Sequence, residues 1–316
     1  MTAIDKRVST PIIWLLLLTM PYWMDAVGGY TELACRVVVL GLAAMAVNFL
    51  LGFTGVLSFG HAAYFGLGAY GAAMTIKYLF PSTALAILLG VVVGTVAAAV
   101  IGALIRKLRG TYFAMVTIAF GQVFYFIVFR WNTVTGGDDG ITGWSRQPLN
   151  LGFTTIDILH DDKAFYFMVL AFFALAVGLM ALLLRSPLGR TLVAIRENER
   201  RARFLGVPIE RHIWLSFVIS GGFAALAGAL FALLSNFTDP RSLHWTLSGN
   251  FVIMAVLGGM RSFWGPLLGA AIFVVLQDYV SSHTENWMSF IGLFFVLVVT
   301  FFPRGILGII KRRLGQ

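Results

Sequence analysis

Three groups of residues could do chemistry. His61 lies in the run Ser58-Phe-Gly-His-Ala-Ala-Tyr-Phe-Gly-Leu-Gly-Ala-Tyr70, a titratable side chain among apolar neighbours just after the glycine pair Gly52 and Gly55. A polar helix start carrying Thr54, Ser58 and His61 could aim unpaired backbone N–H groups at a carboxylate, because helix N-termini bind anions. His61 could equally hydrogen-bond a neighbouring helix and fix packing. The second group is Asp138 and Asp139 in Thr135-Gly-Gly-Asp-Asp-Gly-Ile-Thr-Gly143, whose glycines and aspartates suit tight turns. Two adjacent aspartates make a poor oxygen cage without further ligands. The loop therefore reads as a turn or as a docking surface for an external partner, and no metal is expected.

The third group is the charged segment Ser186-Pro-Leu-Gly-Arg-Thr-Leu-Val-Ala-Ile-Arg-Glu-Asn-Glu-Arg-Arg-Ala-Arg-Phe-Leu-Gly-Val-Pro208. Ser186 and Pro187 suit the first positions of a helix, and Gly206 with Pro208 supplies a stop. Leu188, Leu192 and Ile195 repeat at helical spacing. The segment predicts one cationic helix whose apolar stripe, Leu192, Ile195 and Phe204, needs a cover. Anionic lipid headgroups and a cytosolic protein are the two candidates.

Motifs for other chemistry are missing: there is no G-x-x-x-x-G-K-[ST] phosphate loop, no H-E-x-x-H zinc helix and no paired carboxylate within an apolar run. The chain is not expected to be an enzyme, and no cofactor is implied. Cys35 is alone, so no disulfide framework can be drawn. Ion-driven carriers usually place ionisable groups inside their spans. Here most charges fall between the apolar runs, which weighs against a stand-alone secondary carrier.

The elements that must position these residues are membrane helices. Hydrophobic residues make up 59% of the 316, and charged residues only 12%, roughly half the share in a soluble domain. Apolar runs predict spans near 11–27, 37–52, 56–76, 82–105, 111–130, 164–184, 213–236, 247–260, 263–280 and 287–303. The run at 247–260 is short, and 37–76 is interrupted at Gly52-Phe53-Thr54-Gly55, so eight to ten crossings are expected. The expected fold class is all-α, a polytopic bundle forming a single transmembrane domain over 1–316. A cytoplasmic loop at about 185–212 and an external loop at about 131–163 complete it. The first run could pass for a signal peptide, but Pro11 and Pro21 bracket it and favour an uncleaved span.

Charge sets the orientation. With Lys6, Arg7, Arg106, Lys107, Arg109, the Arg185–Arg211 loop, Arg261, Arg304 and Lys311–Arg313 on one side, that side holds 17 of the 23 basic residues and four of the 14 acidic ones. The other side holds Arg36, Lys77, Arg130, Arg146, Lys163 and Arg241 with ten acidic residues. By the positive-inside rule the first side is cytoplasmic, and ten crossings put both termini there. The +9 net charge is then a topology signal with no call for nucleic acid.

Small residues recur four apart at Gly90, Gly94, Ala98 and Gly102, and again at Ser220, Ala224, Gly228 and Ala232. Such ridges let helices pack closely in lipid. A short similarity links Gly55-Val-Leu-Ser-Phe59 to Gly259-Met-Arg-Ser-Phe263, with both copies pointing the same way across the membrane.

Nearly the whole chain resembles the branched-chain amino-acid ABC importer permeases of the LivM type. The resemblance rests on Gly55–Tyr70, Leu108–Phe120, Thr135–Gly140, Ser186–Arg190, Ala194–Arg200, Ala224–Leu230, Leu257–Gly259, Gly265–Ala270 and Phe302–Gly305, in family order. It implies a bacterial inner-membrane importer of five parts: this subunit, a second homologous permease, two cytosolic ATPase subunits and a periplasmic substrate-binding protein. The helix Thr191–Leu205 would be the coupling helix, with Leu192, Ile195, Arg196, Glu197, Glu199, Ala202, Phe204 and Gly206 meeting the ATPase. Ala202 and Gly206 keep the family's Ala-x-x-x-Gly spacing, while Arg200 and Arg201 stand where small and acidic residues are usual. Thr54, Ser58 and His61 would line the substrate path, and Asp138 and Asp139 would meet the binding protein. Branched-chain amino acids are the family's usual cargo; urea, short amides and aromatic acids are carried by its relatives.

Overall fold

The computed structural model describes residues 9–24, 29–150, 155–156, 159, 161–260, 262–301 and 305. Lys6, Arg7, Arg261, Arg304, Lys311–Arg313 and both termini lie outside the described residues, as does most of Phe302–Gly305.

Each predicted span is a helix. In chain order they are α1 Ser9–Trp23, α2 Thr31–Thr54, α3 His61–Met74, α4 Thr83–Ile105 and α5 Gly110–Arg130. A four-residue turn, α6 Asn132–Thr135, precedes α7 Asp162–Arg185, and the short helices α8 Pro187–Glu197 and α9 Glu199–Phe204 follow it. The chain closes with α10 Ile209–Ser235, α11 Trp245–Gly258, α12 Gly265–Ser281 and α13 Trp287–Phe301. Only helices and closed barrels satisfy every backbone group in lipid, and runs this apolar leave helix as the solution. Five of them, α2, α4, α5, α7 and α10, are long and apolar enough to cross a bilayer alone. The others are shorter, and α11, at 14 residues, is the run that looked short in sequence.

The bundle is built around α2 and α10. In its most apolar stretch α2 is 89% buried, whereas α5 is 28% and α4 33% buried. The outer helices turn large side chains such as Leu88, Val96, Met115, Phe126 and Leu182 outward, as lipid-facing helices do. The two small-residue ridges pack against different partners: the α4 ridge meets α10 at Gly221, Ala225 and Ala229, and Gly228 of the α10 ridge meets α3. A side chain on Gly228 of α10 would strike the Phe65 carbonyl of α3 at 1.8 Å, and one on Gly94 of α4 would strike the Ala225 methyl at 2.4 Å. Because lipid offers no hydrophobic drive between apolar helices, this backbone proximity is what holds α3, α4 and α10 together.

The interrupted run at 37–76 resolves into two helices. Gly55, at φ +80°, ends α2: its N–H bonds the Leu51 carbonyl at 3.2 Å and that of Val56 bonds Leu50 at 3.3 Å, the paired signature of a left-handed helix cap. Gly259 ends α11 at φ +114°. The two breaks, similar in sequence, also meet in space, where Asn48 Nδ2 donates to the Ser262 carbonyl at 3.1 Å.

The expected single helix over Thr191–Leu205 is corrected to two. Asn198 leaves helical geometry at φ −158° and ψ 97°, and its Oδ1 accepts the Arg201 N–H at 2.9 Å. An asparagine so placed caps a new helix, and α9 turns away from α8. A two-residue antiparallel ladder, β1 Leu149–Asn150 with β2 Thr155–Ile156, sits in the loop after α5.

Candidate functional site

The charged loop forms a hairpin of α8 and α9 at one end of the bundle. Ser186 and Pro187 start α8 as expected, and Gly206, at φ +80°, turns the chain into α10. The apolar stripe is covered by this chain itself. Leu192 is fully buried, Ile195 is 4% and Ala202 3% exposed, packed toward α2, α7 and α10. The expectation that Leu192 and Ile195 await a partner is therefore corrected: the periodicity marked an apolar face, and the bundle supplies its cover. The large apolar residues of the loop that stay exposed are at the end of α9, where Phe204 is 91% and Leu205 79% exposed. Glu197 and Arg200 share that outer side.

The hairpin is fastened to the bundle by charge. Arg196 donates from a guanidinium nitrogen to the Gly52 carbonyl, one of the last carbonyls of α2. Helix C-termini leave such carbonyls without intrahelical partners and carry partial negative charge. Glu199 pairs with Arg109, after α4, at 3.1 Å and with Arg203 at 3.2 Å, and Arg203 reaches Glu210 at the start of α10 at 3.5 Å. One short segment thus grips α2, α4 and α10.

Thr54, Ser58 and His61 come together at the α2–α3 break, and all three are buried. His61 Nε2 meets Ser220 Oγ of α10 at 2.7 Å, and Ser220 Oγ donates to the Ala46 carbonyl of α2 at 2.5 Å. The ring packs edge-on to Tyr64 and Phe217. The expected unpaired donors at this helix start are taken up by hydroxyls of the chain itself. The Phe59 N–H bonds Thr117 Oγ1 at 3.1 Å, that of Gly60 bonds Ser58 Oγ at 3.2 Å and that of Ala62 bonds Ser248 Oγ at 2.8 Å. This constellation locks α2, α3, α5, α10 and α11 at one point.

Asp138 and Asp139 are exposed in a 3-10 turn, Gly137–Asp139, at the other end of the bundle. The loop is clamped to the chain after α10: Ile141 and Thr238 exchange backbone hydrogen bonds of 2.8 and 3.3 Å. Among the described residues no group of three His, Cys, Asp or Glu side chains could hold a metal.

Arg146 was not singled out by sequence. It is buried beneath the same loop, pairs with Asp162 at 2.8 Å and stands 4.3 Å over the Phe165 ring. Its neighbour Trp144 is also buried, and a tryptophan within a polar loop is the sequence signal that could have marked this segment as packed.

Fold and site together define a multi-pass helical membrane protein with a loop hairpin braced against its central helices. The chain belongs to the family described as branched-chain amino acid transport system / permease component, whose model matches residues 29–299. It is similar to the high-affinity branched-chain amino acid transport system permease protein LivM of Salmonella typhimurium, at 28% identity over 90% of this chain and 72% of that protein. It is also similar to LivM of Escherichia coli K12, at 27% identity over 96% and 76%. LivH of Salmonella typhimurium matches a shorter stretch, 34% identical over 39% of this chain and 40% of that protein. No solved structure matches.

Proposed function

We propose that this chain is the membrane-spanning permease subunit of a bacterial inner-membrane ABC importer, forming the path for branched-chain amino acids and driven by two separate ATPase subunits. Its relatives are named as permease proteins of a branched-chain amino acid transport system, and two different such proteins, LivM and LivH, share its sequence. That pair supports a second permease as partner, with a periplasmic binding protein delivering the cargo to the Asp138–Asp139 face.

The observation that carries the reading is the two-sided hairpin. Its inner side, Leu192, Ile195, Ala202 and Arg196, is bound to the transmembrane core, while its outer side leaves Phe204 and Leu205 exposed. A large apolar tip on a charged loop is the mark of a docking surface. An ATPase seated on Phe204, Leu205, Glu197 and Gly206 would move the hairpin as one piece. Arg196 would carry that motion to the end of α2, beside the α2–α3 break where Thr54, Ser58 and His61 sit. These three then serve as the joint of the path, and alternating access follows from bending there.

Replacing Phe204 and Leu205 together by Asp tests this. Burying a large apolar side chain is worth about 1.5–3 kcal/mol and 1.4 kcal/mol is a factor of ten, so ATPase subunits recovered with the permease should fall at least tenfold. Expression and pairing with the second permease should hold, since both side chains are exposed. Undiminished ATPase recovery would overturn the coupling assignment.

A further inference from the structure

At the end of the bundle opposite the hairpin, the chain leaving α10 encloses a cavity of about 220 Å³. Ala69 of α3, Phe231 and Phe237 give it apolar walls, while Thr238, Asp239 and Ser242 supply oxygen. Thr238 is only 3% exposed; its backbone is engaged by Ile141, yet its Oγ1 has no hydrogen-bond partner. Tyr70, next to Ala69, holds a second buried hydroxyl without a partner, within electrostatic range of Asp239. Burial pushes the Asp239 carboxyl above the usual carboxylate range, more strongly than the Arg241 charge and the backbone N–H groups of Ser242 and Asp239 draw it down. Asp239 is in none of the ion pairs among the described residues.

Leaving buried polar groups unpaired is costly, and the half-buried Asp239 carboxylate, opening into the cavity beside the unpartnered Thr238 hydroxyl, suits a cationic donor. A primary ammonium carries three donors and no acceptor, which fits the oxygens present. A bare divalent ion asks for about six oxygens, and the aromatic walls would be wasted on it. Those walls suit an aliphatic body and favour a nearby positive charge. An apolar cavity of about 150 Å³ holds benzene, so this one accepts a solute somewhat larger.

We propose that this cavity is an entry site for a small apolar amino acid, whose ammonium group is held by Asp239 with the Thr238 hydroxyl as a further acceptor and whose side chain lies against Phe231 and Phe237. The proposal rests on the amino-acid importer reading above and locates a first contact on the face where cargo arrives.

Saturation-transfer NMR on the complete transport complex in nanodiscs, without binding protein, tests it with three probes: leucine, isoamylamine and 4-methylpentanoate. Leucine and isoamylamine should receive saturation, and 4-methylpentanoate, which lacks the ammonium, should not. Asp239→Asn should weaken the isoamylamine signal at least tenfold and Thr238→Val severalfold, while Glu285→Gln, at an exposed carboxylate that does not act on Asp239, should leave it unchanged. An isoamylamine signal undiminished by Asp239→Asn, in a complex that keeps its melting temperature, overturns the site. So does an equal signal from 4-methylpentanoate. Leucine uptake by the wild-type complex reports on the importer separately. Uptake without an isoamylamine signal removes the site and leaves the importer; the reverse removes the importer and leaves an amine site.

Discussion

Ile195 illustrates what sequence can and cannot say about a single residue. Its spacing with Leu188 and Leu192 marks one apolar face of a helix, and the structure has that face. Periodicity carries no information on what covers the face, and the cover here is α2, brought in from far along the chain, together with the neighbouring α7 and α10. Ile195→Asp should therefore place an ionised carboxylate in an apolar contact, a change whose desolvation is severe. The expected result is a drop in folded, monodisperse protein on size-exclusion chromatography, together with lost transport. Normal yield and melting temperature would mean that the hairpin detaches freely. His61 shows the same limit from the other side. Its polarity among apolar neighbours was visible, but its partner Ser220 lies 159 positions away. Ser220→Ala should leave His61 Nε2 buried without a partner, at a cost of about 1–3 kcal/mol, seen as a lower melting temperature in detergent. Ser220→Thr keeps the hydroxyl but adds a methyl where residue 220 has no free space, so it should recover only part of the loss.

At the scale of elements, the positions of ten apolar helices, five long and five shorter, were legible among the described residues, because an apolar run has one solution in lipid. The small-residue ridges of α4 and α10 were legible as packing faces, though not that α3 packs against both helices where they meet. The α8–α9 break was not legible: Asn198 is an ordinary polar residue within a helical pattern, and only its own cap geometry makes it a boundary. That geometry gives a test. Asn198→Ala removes the bond to the Arg201 N–H and should cost about 0.5–2 kcal/mol locally. The loss should appear as faster amide hydrogen exchange over 199–204, with α10 unaffected. Exchange at the same rate as wild type would show that α9 is held by its ion pairs to Arg109 and Glu210 rather than by its cap. The α3–α10 contact answers to a different change. Gly228→Leu would set a side chain against the Phe65 carbonyl, already at 1.8 Å from the position of a Cβ, and no rotamer relieves a clash with backbone. Folded protein should be lost, whereas Gly178→Leu on α7, where nothing lies within 4 Å, should be tolerated.

For the whole molecule the charge distribution makes the strongest statement, and its two halves stand differently. Among the described residues, contacts gather Arg109 at one end and Lys77 and Arg146 at the other. Arg109 pairs with Glu199, joining the loops after α4 and α7 at one end. Lys77 donates to the Thr142 carbonyl at 3.0 Å and the Arg146 backbone N–H donates to Asn236 Oδ1, joining the loops after α3, α5 and α10 at the other. Which end faces the cytoplasm follows from the positive-inside rule alone: the end with Arg106, Lys107, Arg109 and the hairpin should be inside. Single cysteines at Asn132 and Arg200, both exposed and at opposite ends, test this in intact cells with a membrane-impermeant maleimide. Native Cys35 is buried at 1% exposure, so it should stay silent and serve as the unlabelled background. Asn132→Cys should label in intact cells, and Arg200→Cys only after the membrane is opened. The reverse pattern would invert the protein and place the hairpin outside, where no ATPase could reach Phe204. Labelling of both positions in sealed cells would mean that the loops after α5 and α7 share a face, which an odd number of crossings between them forbids. Either result would end the coupling assignment and the entry site together, since each depends on the two ends facing opposite compartments.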